Sequence, residues 1–183
     1  MFRLSTPRLL LRPFENADMV AVSAYRGDAE VMRYITGAPE TTNQVAEFLE
    51  RTRSYSQQQP QTQYRFALVL TSSGRVIGGS GLDITDRNGT EGEIGYHLHR
   101  EFWGRGIATE VAMELLRFGF EDLKLHRIFA DCAADNMASA NVMKKAGMRK
   151  EAHFHENKQI GEEWHDTLLY ALLDREWKAL RTS

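Results

Sequence analysis

The chain has 183 residues, 42% apolar and 26% charged, with a formal net charge of −2. That length suits one domain around one core, and so nearly neutral a surface argues against nucleic acid as a partner. No apolar run approaches the roughly 20 residues that cross a bilayer, so a membrane is not an expected partner either. The single cysteine, Cys132, excludes an internal disulfide and offers no cysteine-rich zinc pattern, which fits a reducing cytoplasm.

"RLLLRPF" (8–14) reads as a first strand that Pro13 ends, and the residues before it lack the long apolar segment and cleavage site of a leader. "ENADMVAVSAYRGDAEVMRYI" (15–35) predicts two helical pieces, the second capped by Asp28 with Val31, Met32 and Ile35 on its stripe. A further helix is expected over 41–59, capped by Thr42 or Asn43, followed by the polar connector 57–63. Strands follow at 64–71, 75–84 and 91–99, joined by "SSG" and "DRNG". The glycines of "IGGSG" within the second would weaken a strand and point to a bulge or a close backbone neighbour.

Residues 107–123 carry the strongest helical stripe, with Ile107, Val111, Leu115 and Phe118 on one line. "HRIFADCAA" (126–134) is a buried strand, and 135–147 is a helix between an Asp/Asn start and a Gly147 stop. Strand patterns near 148–155 and 163–173 flank the turn "KQIGEE". The expected fold is a single α+β domain over 1–183, with a mostly antiparallel sheet and a strand–helix–strand unit at its centre.

The junction "EFWGRGIATEV" (101–111) asks why two glycines bracket an arginine at the mouth of a helix. Free N–H groups and the helix dipole converge there on any anion, and Gly104 and Gly106 let a ligand approach the backbone closely. A simple turn would look the same. GxxxxGK[ST] is absent, and GxGxxG fails at Thr109. The surrounding hairpins also differ from a dinucleotide fold.

"WGRGIATE" (103–110) resembles the acyl-CoA pyrophosphate loop of the GNAT superfamily of N-acetyltransferases, with Gly106 and Ala108 at its small-residue positions. Trp103 stands where the general motif has Gln or Arg, a form associated with the RimJ/RimL-like branch. "TPRLLLRPF", "EVMRYI", "EIGYHL", "LHRIFADCAADNMASANVMKKAGM" and "GEEWHDTLLYALLDREW" resemble that branch in the same order, over about 6–177. The resemblance implies a GNAT-like acyl-CoA N-acyltransferase fold whose central strands, here 91–99 and 126–134, splay around the coenzyme. It also implies an enzyme, often a homodimer, that moves an acetyl group directly from acetyl-CoA to a primary amine. The acceptor would be a small molecule or a protein N-terminal α-amine, such as that of a ribosomal protein.

By that resemblance Trp103, Gly104, Arg105, Gly106, Ile107, Ala108 and Thr109 bind the coenzyme, with its pyrophosphate on the N–H groups of 104–109. A backbone N–H near Tyr96 or His97 polarises the thioester carbonyl. Asn136 touches the coenzyme arm and Ser139 lies near the sulfur, as the acid for the departing thiolate. No tyrosine stands close in sequence to take that role. Capping of the next helix by Asn136 and Ser139 is the plain alternative. An attacking amine must shed a proton, and Glu156 is the first candidate base with Glu93 its rival, either of which is otherwise a surface glutamate. Asp28, Glu30, Glu47, Glu50, Asp83 and Glu91 would favour a cationic acceptor, unless they merely solvate helices.

His97 with His99, and His153 with His155, alternate on strand faces, but no HExxH pattern exists and no metal is expected. Cys132 alternates with Ile128 and Ala130 as a core residue, and adjacent His165 and Asp166 face opposite ways on a strand. A non-catalytic acyl-CoA-binding module of the same fold is the alternative function.

Overall fold

The alternating apolar runs become the strands of one sheet in the computed structural model, which describes residues 2–182. The first segment divides into β1 (Leu4–Ser5) and β2 (Leu9–Arg12). Strands β3 (Gln63–Leu70), β4 (Val76–Ile84) and β5 (Glu91–Leu98) form an antiparallel meander. Then β6 (Arg127–Ala133) joins β5 in parallel, and β7 (Arg149–Ile160) with β8 (Glu163–Leu173) forms a hairpin. The spatial order is β1-β2-β3-β4-β5-β6-β8-β7. A parallel neighbour needs a crossover, and the helix α4 (Ile107–Arg117) supplies it.

Strand periodicity sends alternate residues to opposite faces. Ile94 and Leu98 of β5, Ile128 and Ala130 of β6, and Leu168 and Tyr170 of β8 join one core with α4 and with α5 (Met137–Lys145). Ala67 of β3 and Phe14 join a second core under α1 (Met19–Arg26), α2 (Ala29–Met32) and α3 (Thr42–Tyr55). The sheet therefore carries α4 and α5 on one face and α1, α2 and α3 on the other.

Several boundaries differ from the sequence expectation. The cap of α3 is Thr41, in a capping box with Gln44, because its hydroxyl reaches the Gln44 N–H. Ile35 lies outside α2 and is exposed, since the chain turns out of the helix toward Gly37, whose φ is +79°. The helix expected to run to 123 leaves α geometry after Arg117 and widens into a π-type turn over Phe118–Asp122. The last helix, α6 (Asp174–Thr182), is polar in composition and buries Trp177. Trp177 fixes it by stacking on Phe120 at 5.9 Å and donating its indole N–H to Glu121, partners far away in sequence. Among the described residues, no helix is long and apolar enough to cross a membrane.

Candidate active site

β5 and β6 pair only where Glu91, Gly92 and Glu93 meet Arg127, Ile128 and Phe129. Beyond that point β5 stays on β4 through Leu98 and β6 stays on β8 through Ala133, so a gap opens between them. Backbone polar groups alternate in direction along a strand. The His99 N–H donates to Ile77 on the β4 side, whereas the Thr90 carbonyl accepts from His126 on the β6 side. Even-numbered residues therefore turn their amides into the gap. Of the two expected carbonyl-polarising donors, Tyr96 faces the opening and His97 turns toward β4.

The gap leads to the glycine loop. Gly104 and Gly106 have φ of +71° and +74°, a left-handed conformation that costs other residues energy, and Gly106 caps α4. The first intrahelical bond there runs from Glu110 N–H to the Gly106 carbonyl, so the amides of Ile107, Ala108 and Thr109 have no helical acceptor. Trp103 ties the loop to the end of β5 through an indole hydrogen bond to the Leu98 carbonyl at 2.9 Å. The Arg105 guanidinium lies over Phe102.

Arg8, which no local sequence signal assigns to this loop, also reaches it. Arg8 donates to the Arg105 carbonyl at 2.9 Å and pairs with Glu110 at 2.5 Å. Burial works against ionisation of Glu110, but hydrogen bonds from Thr6 and Arg8 bring its carboxyl below the usual range. Its negative charge, in the first turn beneath the free amides, is thus matched by a cation before any anion arrives. The only signal was "TPRLLLRPF", which carried family resemblance but no local reason to reach α4.

Asn136 caps α5, its side chain accepting the Ser139 N–H at 3.1 Å. Ser139 also meets an unanticipated partner. The Tyr96 hydroxyl lies 3.2 Å from Ser139 Oγ and 3.3 Å from its carbonyl. A phenol and an alcohol thus meet across the gap, from β5 and α5. Burial pushes the Tyr96 phenol up to about 12, the Ser139 hydrogen bond opposing it, so it keeps its proton. No tyrosine is near Ser139 in sequence, yet the fold supplies one.

On the other face of β5, Glu93 is half-buried. Burial first, then the charges of Asp131 and Asp83, raise its carboxyl above the usual range, against Lys158 and Arg65. Asp83 is held by Arg65 at 2.5 and 2.7 Å, and Asp131 by Lys158 at 3.1 Å. Of the other acids expected to favour a cation, Asp28 pairs with Arg100 and Glu91 with Arg127, while Glu30, Glu47 and Glu50 are exposed. Glu156, the first-choice base, is exposed on a bulge of β7, with φ of +43°. Its backbone N–H donates to Asp166 at 2.8 Å.

The histidine pairs fare differently. His97 packs against Tyr25, 5.1 Å between ring centroids, and its Nε2 is buried with no hydrogen-bond partner among the described residues. Gly79 makes room, since a Cβ there would stand 2.9 Å from that nitrogen. Burial, reinforced by Arg26 and Arg65, lowers the imidazole to about 3, so it is neutral. On the hairpin, His153 and His155 both reach Asp166, which sequence reasoning set against His165 alone. Cys132 is buried, and burial raises its thiol to about 11, as suits a core residue.

The uncharacterized N-acetyltransferase YnaD of Bacillus subtilis is 34% identical over 174 residues, 95% of this chain and 98% of its own length. A GNAT-family acetyltransferase structure from Bacillus anthracis superposes with a TM-score of 0.84 at 31% identity, covering 95% of this chain and 99% of that one. The [ribosomal protein uS5]-alanine N-acetyltransferase of Escherichia coli is 26% identical over 84 residues, 46% of this chain and 43% of its own. Residues 8–149, which include the glycine loop, the divergent strands and the Tyr96–Ser139 contact, match the Acetyltransferase (GNAT) domain, and the chain belongs to the GNAT family of N-acetyltransferases.

Proposed function

We propose that this chain transfers the acetyl group of acetyl-CoA directly to a primary amine, in the manner of the RimJ/RimL-like branch, with a protein N-terminal α-amine as acceptor. The observation that carries this reading is the gap between β5 and β6, which opens onto the free amides of the Gly104–Gly106 loop and contains the Tyr96–Ser139 pair. The coenzyme pyrophosphate would rest on the amides of 104–109 beside Arg105 and Arg8, while its pantetheine arm pairs with the gap-facing edge of β5.

The Tyr96 amide would polarise the thioester carbonyl, and the Tyr96–Ser139 hydroxyls would return a proton to the thiolate. Glu93 takes precedence over Glu156 as base. A half-buried carboxylate with a raised pKa accepts a proton more readily than an exposed one. An α-amine, near 8, gives up its proton far more easily than a lysine near 10.4, so one such carboxylate suffices. Similarity to the uS5-alanine enzyme supports the same acceptor class.

The test begins with thermal stability in acetyl-CoA, with NAD and ATP as controls. A ligand at about 100 times its Kd stabilises by roughly 2.7 kcal/mol. Thiol release with a panel of peptides and small amines then identifies the acceptor. Tyr96→Phe, Ser139→Ala and Glu93→Gln should keep the acetyl-CoA shift and slow turnover, with Glu156→Gln close to wild type. No shift with acetyl-CoA would refute the coenzyme site. A shift without thiol release from any amine would leave an acyl-CoA-binding module.

A further inference from the structure

The β7–β8 hairpin carries a polar cluster that the proposed transfer reaction does not use. His153 Nε2 lies 2.8 Å and His155 Nδ1 2.9 Å from the same oxygen, Oδ2 of Asp166. The three ligand-capable atoms all fall within 4.8 Å of one another. The other carboxylate oxygen, Oδ1, accepts the Glu156 N–H at 2.8 Å, which aims Oδ2 at the two imidazoles. This arrangement depends on the bulge between the ladder pairs Phe154↔Thr167 and Lys158↔His165, where Glu156 takes its left-handed backbone.

We infer that His153, His155 and Asp166 form a binding site for a divalent d-block cation of the zinc type. Two borderline imidazole donors beside one carboxylate suit Zn²⁺, Co²⁺ or Ni²⁺, whereas Mg²⁺ and Ca²⁺ prefer all-oxygen shells. Bonds of about 2.0–2.2 Å in a tetrahedron separate neighbouring ligand atoms by about 3.3 Å. The observed 2.8 and 2.9 Å contacts therefore need to open by only about half an ångström. The side chains are free to do so, since His155 is 78% and His153 38% exposed. Each neutral imidazole keeps its proton on the ring nitrogen turned away from the ion. The Glu156 amide acts as the outer support that fixes a ligating carboxylate. Water completes the open fourth position.

The ion would cross-link β7 to β8 across the bulge. The far end of this hairpin, Ile160–Gly161, packs on Gly37 so closely that a Cβ there would lie 3.0 Å from the Gly161 amide nitrogen. Occupancy would thus stiffen the segment from the bulge to the turn that rests on the loop after α2.

Calorimetric titration of untagged protein with ZnCl₂, free of thiols and coenzyme, tests the site, with MgCl₂ as control. One Zn²⁺ per chain should bind, Mg²⁺ should not, and Zn²⁺ should slow amide exchange across 154–165. His155→Ala and Asp166→Asn should each weaken Zn²⁺ at least about tenfold, while His126→Ala, altering a separate histidine–aspartate contact, should not. Asn at 166 can still accept the Glu156 N–H, and circular dichroism checks that each variant folds. Co²⁺ should develop visible ligand-field bands in the wild type and lose them in either ligand variant. Absent Zn²⁺ binding, or binding unchanged in both variants, would overturn the assignment.

Discussion

Removing the titration of His97 should blunt the acid sensitivity of this protein. In the folded chain burial of the ring nitrogen lowers the His97 imidazole to about 3, against an ordinary 6.5. A base whose folded pKa is depressed binds its proton mainly in the unfolded chain. Its contribution to stability is therefore intact above 6.5 and lost as the pH falls from there toward 3. At pH 5 the unfolded histidine is almost fully protonated and the folded one is not, so linkage gives a loss of about 2 kcal/mol relative to pH 7.5. For a domain of this length that is a fall of about 4–8 °C in Tm from this one residue.

The comparison is wild type against His97→Met, by urea unfolding at pH 7.5 and pH 5. Other titrating groups act in both proteins and cancel in the difference. Wild type should lose about 2 kcal/mol more than the variant between the two pH values. A difference below about 0.5 kcal/mol would show that the imidazole takes up a proton in the folded state, and the argument from burial would fail.

Gly119→Ala should destabilise the fold by about 1–3 kcal/mol. Its Cβ would meet Ile128 Cδ1 at 2.4 Å and Leu82 Cδ1 at 3.0 Å, both fully buried, and adding Ile128→Val should recover part of the loss in urea midpoint. Arg8→Ala should weaken coenzyme A binding about tenfold, roughly one charge-assisted hydrogen bond, because it leaves the Glu110 carboxylate unmatched at the start of α4. Calorimetry at low and high salt checks this, the deficit shrinking as salt screens that charge. Glu93→Gln should melt no lower than wild type at pH 7 while losing turnover. The raised carboxyl means that ionising Glu93 costs stability above its folded pKa, and the variant's advantage should fade toward pH 4. A lower melting temperature at pH 7 would instead reveal a stabilising ionic contact at Glu93.

Features that depend on neighbours along the chain were legible before folding. Helix α4 followed from the stripe Ile107, Val111 and Leu115, and the loop before it from Gly104 and Gly106. The α5 start followed from Asn136, and the antiparallel meander from alternation and turn residues. These are local signals, set by backbone conformation and by a periodicity of two or of 3.6 residues. Tertiary structure decided whatever needed partners distant in sequence. Tyr96 and Ser139 stand 43 positions apart and meet only because β5 leaves β6 after Glu93. Arg8 reaches Glu110 across 102 positions, and Trp177 pins α6 through Phe120 and Glu121. The two histidines of β7 found Asp166 through a bulge that no alternation pattern encodes. The proposed preference for Glu93 over Glu156 likewise rests on burial, which is set by the layers that close over a strand and not by the residues beside it.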